Sequence, residues 1–271
     1  MGKDKAKKKE ADCPVRLDRL LAGEGLGTRS DLKKAIRGGK ALVNGSVEKD
    51  AGRQILPGDV VVFDGEEIKR EPHVYYMLHK PSGLITATED SRERTVLNLL
   101  REKGIRRRDL FPVGRLDRDT EGLLLVTDDG ALAHYLLSPG KHVEKTYYAV
   151  VEGRVAEEDI RRFAQGLVVD EELTAMPADL SVLQYVMPET EPGADPVSAE
   201  LTKTLVTIRE GKYHQIKRMF SACGKKVLYL KRLSMGPLQL DPTLPGGAFR
   251  ELTPEEISAL REVRGQESGN G

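Results

Sequence analysis

Residues 112–122 read Pro-Val-Gly-Arg-Leu-Asp-Arg-Asp-Thr-Glu-Gly, and they run directly into the apolar stretch Leu123, Leu124, Leu125 and Val126. Charge packed between an apolar start and a fully apolar strand must form a loop held against a rigid sheet, which is where reactive groups are commonly displayed. A carboxylate in such a loop can serve as a nucleophile. On spacing alone the balance favours a plainer role, with Asp117 and Asp119 as turn or capping residues paired with Arg115 and Arg118. A reactive carboxylate in a partly closed pocket would be driven toward its neutral form unless a cation sat nearby. On the segment 215–223, Ile216, Met219, Phe220 and Cys223 recur at core spacing, leaving Lys217 about 100° from Ile216 and free to lean toward a cleft. A solvated lysine reads equally well there. Tyr147 lies on the alternating segment 145–152, on the same face as Ala149 and Val151, where spacing alone favours an ordinary core aromatic.

The elements that must position these residues fall into two sets. Residues 15–22 carry Leu17, Leu20 and Leu21 at helical spacing, and a glycine-punctuated turn follows. Thr28 stands three residues before Asp31, an N-terminal capping pattern that opens a second helix through Arg37, ended by Gly38-Gly39. Leu32, Ala35 and Ile36 face inward, while Arg29, Lys33 and Arg37, helped by Lys40, form an outward stripe. Short strands at 41–43 and 59–63, with turns at Asn44-Gly45 and Pro57-Gly58, complete a small helix-turn-helix and sheet unit. Beyond a proline-containing linker the pattern changes. Strands are expected at 75–79, 84–88, 123–127, 145–152, 168–169, 179–184 and 201–208. Helices are expected at 95–102, at 131–137 capped by Asp129, and at 157–165, 215–223 and 255–263. Residues 187–196, rich in Pro, Glu and Gly, form a surface loop. Strands dominate without alternating regularly with helices, so the class is α+β with a largely antiparallel, mixed sheet and flanking helices. The expected organisation is a basic flexible tail at 1–13, a small domain at 14–70, a linker at 71–74, a larger domain at 75–263 and a flexible tail at 264–271.

Composition narrows the function. With 271 residues, 32% of them charged and 39% hydrophobic, the chain suits a folded soluble protein of two domains. No apolar stretch is long enough to span a bilayer, and the Lys-rich first residues lack the apolar core of a secretory signal. Cys13 and Cys223 have no companions at metal-ligand spacing, so neither a disulfide framework nor a metal site is expected, and a reducing cytoplasm is. A formal net charge of zero argues against a generic polyanion binder. Its distribution argues otherwise: residues 1–70 hold 16 basic against 12 acidic side chains, and residues 201–233 hold 9 against 1. Basic charge is therefore clustered, as in a nucleic-acid-binding protein.

Three ordered blocks carry a resemblance. Gly114-Arg115-Leu116-Asp117 with Thr120-Glu121-Gly122-Leu123-Leu124 and Asp128-Asp129-Gly130, then Lys145-Thr146-Tyr147, then the segment from Glu210 to Met219, resemble the motifs of pseudouridine synthases of the RsuA type. The first domain resembles the αL RNA-binding motif named after a small-subunit ribosomal protein. Over roughly residues 14–263 this implies an RNA-modifying isomerase that needs no cofactor. It would cleave the N-glycosidic bond of a uridine, rotate the uracil and rejoin it through carbon. The resemblance assigns the catalytic carboxylate to Asp117, its basic partner to Lys217 and a pocket aromatic placed to help proton transfer to Tyr147.

The target base must leave the RNA stack, and the motif places Arg115 to fill the gap, although pairing with Asp119 fits it as well. Lys212, Arg218, Lys225, Lys226, Lys231 and Arg232 are expected phosphate contacts. The stripe Arg29, Lys33, Arg37 and Lys40 is the expected RNA face of the small domain. His214 is read as structural. Tyr213-His214 stand where large-subunit relatives tend to carry Arg-Asn-Arg or Asn-Arg, so a 16S rather than a 23S rRNA uridine is the expected substrate, for a monomer. The rival from another class is a noncatalytic RNA-binding or ribosome-assembly protein.

Overall fold

The computed structural model describes residues 14–56, 58–68, 73–107, 109–187 and 200–265. The expected N-terminal tail, residues 71–72 of the linker, residues 188–196 of the surface loop and the last six residues of the C-terminal tail lie outside the described residues. Two compact units emerge, one from residues 1–74 with 100–111 and one from 75–99 with 112–271.

The small unit begins with β1 (Val15–Arg16), α1 (Leu17–Gly23) and α2 (Arg29–Arg37). Thr28 caps α2 by accepting from the Asp31 backbone N–H, which satisfies a donor that the first turn would otherwise leave orphaned. β2 (Ala41–Val43), β3 (Ser46–Glu48), β4 (Gln54–Ile55), β5 (Val61–Phe63) and β6 (Glu66–Ile68) follow. Four of them form an antiparallel sheet in the order β3-β2-β5-β6. Asn44-Gly45 and Asp64-Gly65 both take positive φ at each residue, the conformation that two-residue hairpins need. The second of these hairpins, and β6 with it, was not expected. Leu17, Leu21, Leu32, Ile36, Ala41, Ile55 and Val61 are fully buried between the helices and the sheet.

After residue 74 come β7 (Tyr75–Lys80), α3 (Val96–Glu102), β8 (Phe111–Pro112), β9 (Glu121–Thr127), α4 (Gly130–Leu137), β10 (Lys145–Glu152), α5 (Glu157–Gln165), β11 (Leu167–Val168), β12 (Thr174–Ala175), β13 (Asp179–Val186), β14 (Leu201–Ile208), α6 (Gln215–Ala222), β15 (Lys226–Met235), β16 (Leu238–Gln239), β17 (Phe249–Glu251) and α7 (Pro254–Gly265). The main sheet runs β13-β14-β10-β15-β9-β7-β17. Every neighbour on that path is antiparallel except β15 and β9. The expected α+β class with a mainly antiparallel mixed sheet is therefore what the chain adopts.

The parallel junction is short, joining Lys231 to Glu121 and Arg232 to Gly122. Gly122 sits there at φ +104°, and a Cβ on it would stand 2.2 Å from the Arg232 carbonyl oxygen. Only glycine allows so close a backbone approach. The loop 113–120 enters β9 at this split.

Two expectations are corrected. Residues 84–88 form no strand; only Ile85 bridges to Thr95. The reason is that this segment bonds to a loop instead of a ladder, Thr86 through its hydroxyl to both backbone groups of Leu116 and Gly83 through its N–H to the Arg118 carbonyl. The ten-residue strand β15 was read only as a source of cations. It lies inside the sheet between β10 and β9, with Leu230, Arg232 and Ser234 buried on one face.

Candidate active site

The site grows from the loop 113–120. Its entry is fixed by Val113 N–H on the Leu125 carbonyl, its middle by Thr86 on Leu116, and its turn by Thr120 N–H on the Asp117 carbonyl. Beneath it lies Lys80, wholly buried. Its ammonium donates to the carbonyls of Pro81, Asp117, Arg118 and Thr120 at 2.8–3.1 Å. Burial pushes this lysine down to about 8, and the charges of Asp119, Asp117 and Glu121 oppose that shift. Lys80 thus fixes the backbone on which Asp117 is carried. Sequence reasoning missed it, because a lysine at the end of a strand carries no signal of burial.

The Asp117 carboxylate is three-quarters buried, with its Oδ2 3.0 Å from Lys217 Nζ. The same ammonium donates to Asp119 Oδ1 at 2.6 Å. Burial alone would lower the Lys217 ammonium, yet the hydrogen bonds to Asp119 and Asp117 outweigh it and leave it above its ordinary value. Burial likewise raises the Asp119 carboxyl, and the Lys217 bond and charge more than offset it, so Asp119 titrates below the usual range. α6 supplies Lys217 because Ile216, Met219 and Phe220 bury its other side, with Phe220 packed 5.0 Å from the Phe163 ring of α5.

Arg115, Leu116, Asp117, Thr120, Tyr147, Ile208, Leu230 and residues 211–217 except Tyr213 line a cleft of about 420 Å³ that includes its open mouth. Tyr147, 7% exposed, stands on β10 between Val206 of β14 and Arg232 of β15. Alternation along β10 buries Tyr147, Ala149 and Val151 on one face, which sets the phenol ring as part of the cleft wall. The structure therefore brings together Asp117, Tyr147, Lys217 and Arg115 around one cleft.

Asp119 pairs with Lys217, not with Arg115; Arg118 pairs with Glu93. Arg115 is exposed at the rim, and among the described residues no ion pair includes it. His214, read as structural, belongs to the site instead: its Nε2 lies 3.5 Å from Asp117 Oδ1 and its ring lines the cleft. The signal that could have found it is its place three residues before Lys217, at the start of the same helix.

The expected phosphate contacts divide. Arg232 is corrected: at 2% exposed it is inside the sheet, with Nε donating to the Leu123 carbonyl, because β15 turns that side chain toward the buried face. Lys225 is also withdrawn from the surface, paired with the buried Asp159 at 2.8 Å. The Arg218 guanidinium grips Asp170 through several bonds, one from Nε at 3.0 Å. Lys212 bonds the Thr174 carbonyl while lining the cleft. Lys226 is exposed and Lys231 half-buried. In the small unit Arg29, Lys33, Arg37 and Lys40 are all exposed, with Lys40 paired to Asp64.

A scan of family models matches RNA pseudouridylate synthase over residues 74–222 and the S4 domain over residues 15–61. The chain is 42% identical over 250 residues to an uncharacterized RNA pseudouridine synthase of Bacillus subtilis, covering 92% of this chain and 99% of the relative. It is 38% identical over 249 residues to the ribosomal small subunit pseudouridine synthase A of Salmonella typhimurium, covering 91% of this chain and all of the relative. The corresponding protein of Escherichia coli is 37% identical over the same shares. A crystal structure of a pseudouridylate synthase superposes with a TM-score of 0.59 at 35% identity, covering 91% of this chain and 99% of that one.

Proposed function

This chain belongs to the RNA pseudouridylate synthase family and isomerises uridine to pseudouridine in RNA, and from that premise we propose that its substrate is a uridine of 16S rRNA and that Asp117 is the catalytic carboxylate. The observation that carries the catalytic assignment is the pairing of a mostly buried Asp117 with Lys217 at 3.0 Å, in a cleft walled by Tyr147. A binding module has no use for all three in one place.

In the reaction the N1–C1′ bond breaks, a C5–C1′ bond forms, N1 gains a proton and the C5 proton leaves to solvent. Asp117, held by the Lys217 ammonium at 3.0 Å, attacks or assists at C1′ or at the ring. Tyr147 lies against the uracil and helps to move the proton. The uridine enters only when turned out of the RNA stack, which costs a few kcal/mol, and Arg115 at the rim fills the gap it leaves. Arg29, Lys33 and Arg37 on α2 supply a second RNA contact, and tethering two modest contacts raises affinity by effective concentration. Asp117, Tyr147 and Lys217 come from one chain, so a monomer suffices.

The 16S assignment rests on the relatives named for the ribosomal small subunit and on Tyr213-His214 in the block before Lys217. Two measurements test the reading. Tritium release from RNA labelled at uridine C5 should occur with wild type and fall to background with Asp117→Asn; equal release by both would remove Asp117 from the mechanism. Carbodiimide mapping in a deletion strain should show a pseudouridine missing from 16S rRNA. A 23S site lost with 16S intact would reassign the substrate.

A further inference from the structure

Tyr213 is an aromatic residue held out in water. It is 74% exposed, and among the described residues the only ring against it is His214, whose imidazole stacks on one face at a centroid distance of 3.8 Å and an angle of 19°. His214 in turn lines the cleft and reaches Asp117. A line of contacts thus runs from the carboxylate to the imidazole to the phenol, and it ends on a phenol ring that is 74% exposed among the described residues.

The turn that presents this pair is built rigidly. His214 takes a left-handed backbone at φ 49° and ψ 29°, a region that non-glycine residues visit seldom and hold only when the surroundings impose it. Those surroundings are explicit. The buried Gln215 side chain accepts from the Lys212 N–H at 3.0 Å and donates to Glu210 at 2.7 Å, and Arg218, anchored on Asp170, donates to the Tyr213 carbonyl. A preorganised flat ring backed by His214, which lines the same cleft as Lys212 and Arg115, suits a nucleobase better than a protein side chain: every base offers a π-face, and cations at the cleft can meet the phosphates of the same strand.

We infer that Tyr213, backed by His214, is a stacking platform for a nucleobase adjacent to the everted uridine. It is a positioning residue that holds the neighbouring nucleotide whatever its base, and the inference rests on the RNA-modifying reading of the cleft. Since Tyr213 does not touch the reacting atoms, its loss falls on KM and not on kcat.

The probes are two short single-stranded RNAs with a central uridine, carrying 2-aminopurine on its 5′ side in one and on its 3′ side in the other. Wild type should quench the fluorescence of one of them on binding. Tyr213→Ala should abolish the quench and weaken the dissociation constant about tenfold or more, while Tyr213→Phe, which keeps the ring, should restore both. Quench and affinity unchanged in Tyr213→Ala, or no quench of either RNA by wild type, would overturn the platform. Tritium release from the same RNAs is read separately: binding with quench but no release would count against the isomerase reading and leave the platform standing.

Discussion

Lys217 Nζ stands 3.0 Å from Asp117 Oδ2, at the cleft, and 2.6 Å from Asp119 Oδ1, at the surface. One cation therefore holds a mostly buried carboxylate and an exposed one. Replacing it as Lys217→Met leaves Asp117 without its charge partner in a partly desolvated place. The turnover number should fall about a hundredfold, the scale of losing one preorganised electrostatic contact. Single-turnover kinetics checks this, with circular dichroism as the control for folding. An unchanged turnover number would remove the ammonium from the mechanism.

The outer arm of the same triad has a pH signature. Asp119 titrates below the ordinary aspartate value, so its contribution to stability is present above about pH 4 and is lost as pH falls through its lowered folded value. Lys217 titrates above its ordinary value, so its contribution is full below about pH 10 and is lost as pH rises through the folded value. The stability difference between wild type and Asp119→Asn should then be level through neutral pH and shrink at both ends. Because Asp119 is largely exposed, the plateau should be about 0.5 kcal/mol. Urea denaturation across pH 3–11 tests it, and a difference that grows toward either extreme would contradict the pairing.

Lys80 is the buried counterpart. Its three N–H donors are shared among four carbonyls around Asp117, of which those of Asp117 and Arg118 also accept from the Thr120 and Gly83 N–H groups, so Lys80→Met removes a buried shared donor and should cost about 2 kcal/mol of stability. Activity should fall further than stability explains, since the backbone of Asp117 loses its anchor. Denaturant midpoints and the turnover number measured below the transition separate the two effects. A variant as stable as wild type would mean that solvent replaces the ammonium.

How legible this site was depends on whether a residue's role is local. The cap Thr28 with Asp31, the strand 145–152 and the helix carrying Lys217 follow from spacing alone, because each is fixed by neighbours a few residues away. Lys80, His214 and the burial of Arg232 do not. Lys80 meets carbonyls 37–40 residues further on, His214 meets Asp117 across 97 residues, and Arg232 is enclosed by strands from three parts of the chain. A lysine or arginine in a strand reads as surface charge until the sheet order is known. β15 shows the same limit: its run Lys-Val-Leu-Tyr-Leu-Lys-Arg-Leu-Ser-Met reads by its charges as a source of phosphate contacts, although Val227, Tyr229 and the leucines between those charges build a central strand.

Gly122 tests the split in the sheet. In Gly122→Ala the new methyl would collide with the Arg232 backbone at 2.2–2.9 Å, and the backbone would be strained at φ +104°. Neither clashing partner is a flexible side chain, so the cost should reach about 3 kcal/mol or more. Thermal unfolding should show a large drop, and residual folded enzyme should lose activity because β9 and β15 position Asp117 and Tyr147 against each other. A midpoint near that of wild type would mean that the two strands are not joined as described.

Salt dependence separates the small unit's cations from those of α6. Arg29, Lys33 and Arg37 are exposed on one face of α2, and Lys33 makes a long contact to Asp18, at 4.0 Å. If they meet phosphates, Lys33→Glu with Arg37→Glu should weaken RNA binding across all sequences. The slope of log affinity against log salt should become shallower by about two, one released counterion per lost contact. Arg218 is tied to Asp170, so Arg218→Gln should leave that slope unchanged and instead loosen the turn that carries Tyr213. Filter binding from 50 to 400 mM KCl reads both. An unaltered slope in the double variant would leave the α2 stripe a solvated face, and a shallower slope in Arg218→Gln would return that guanidinium to the phosphate contacts.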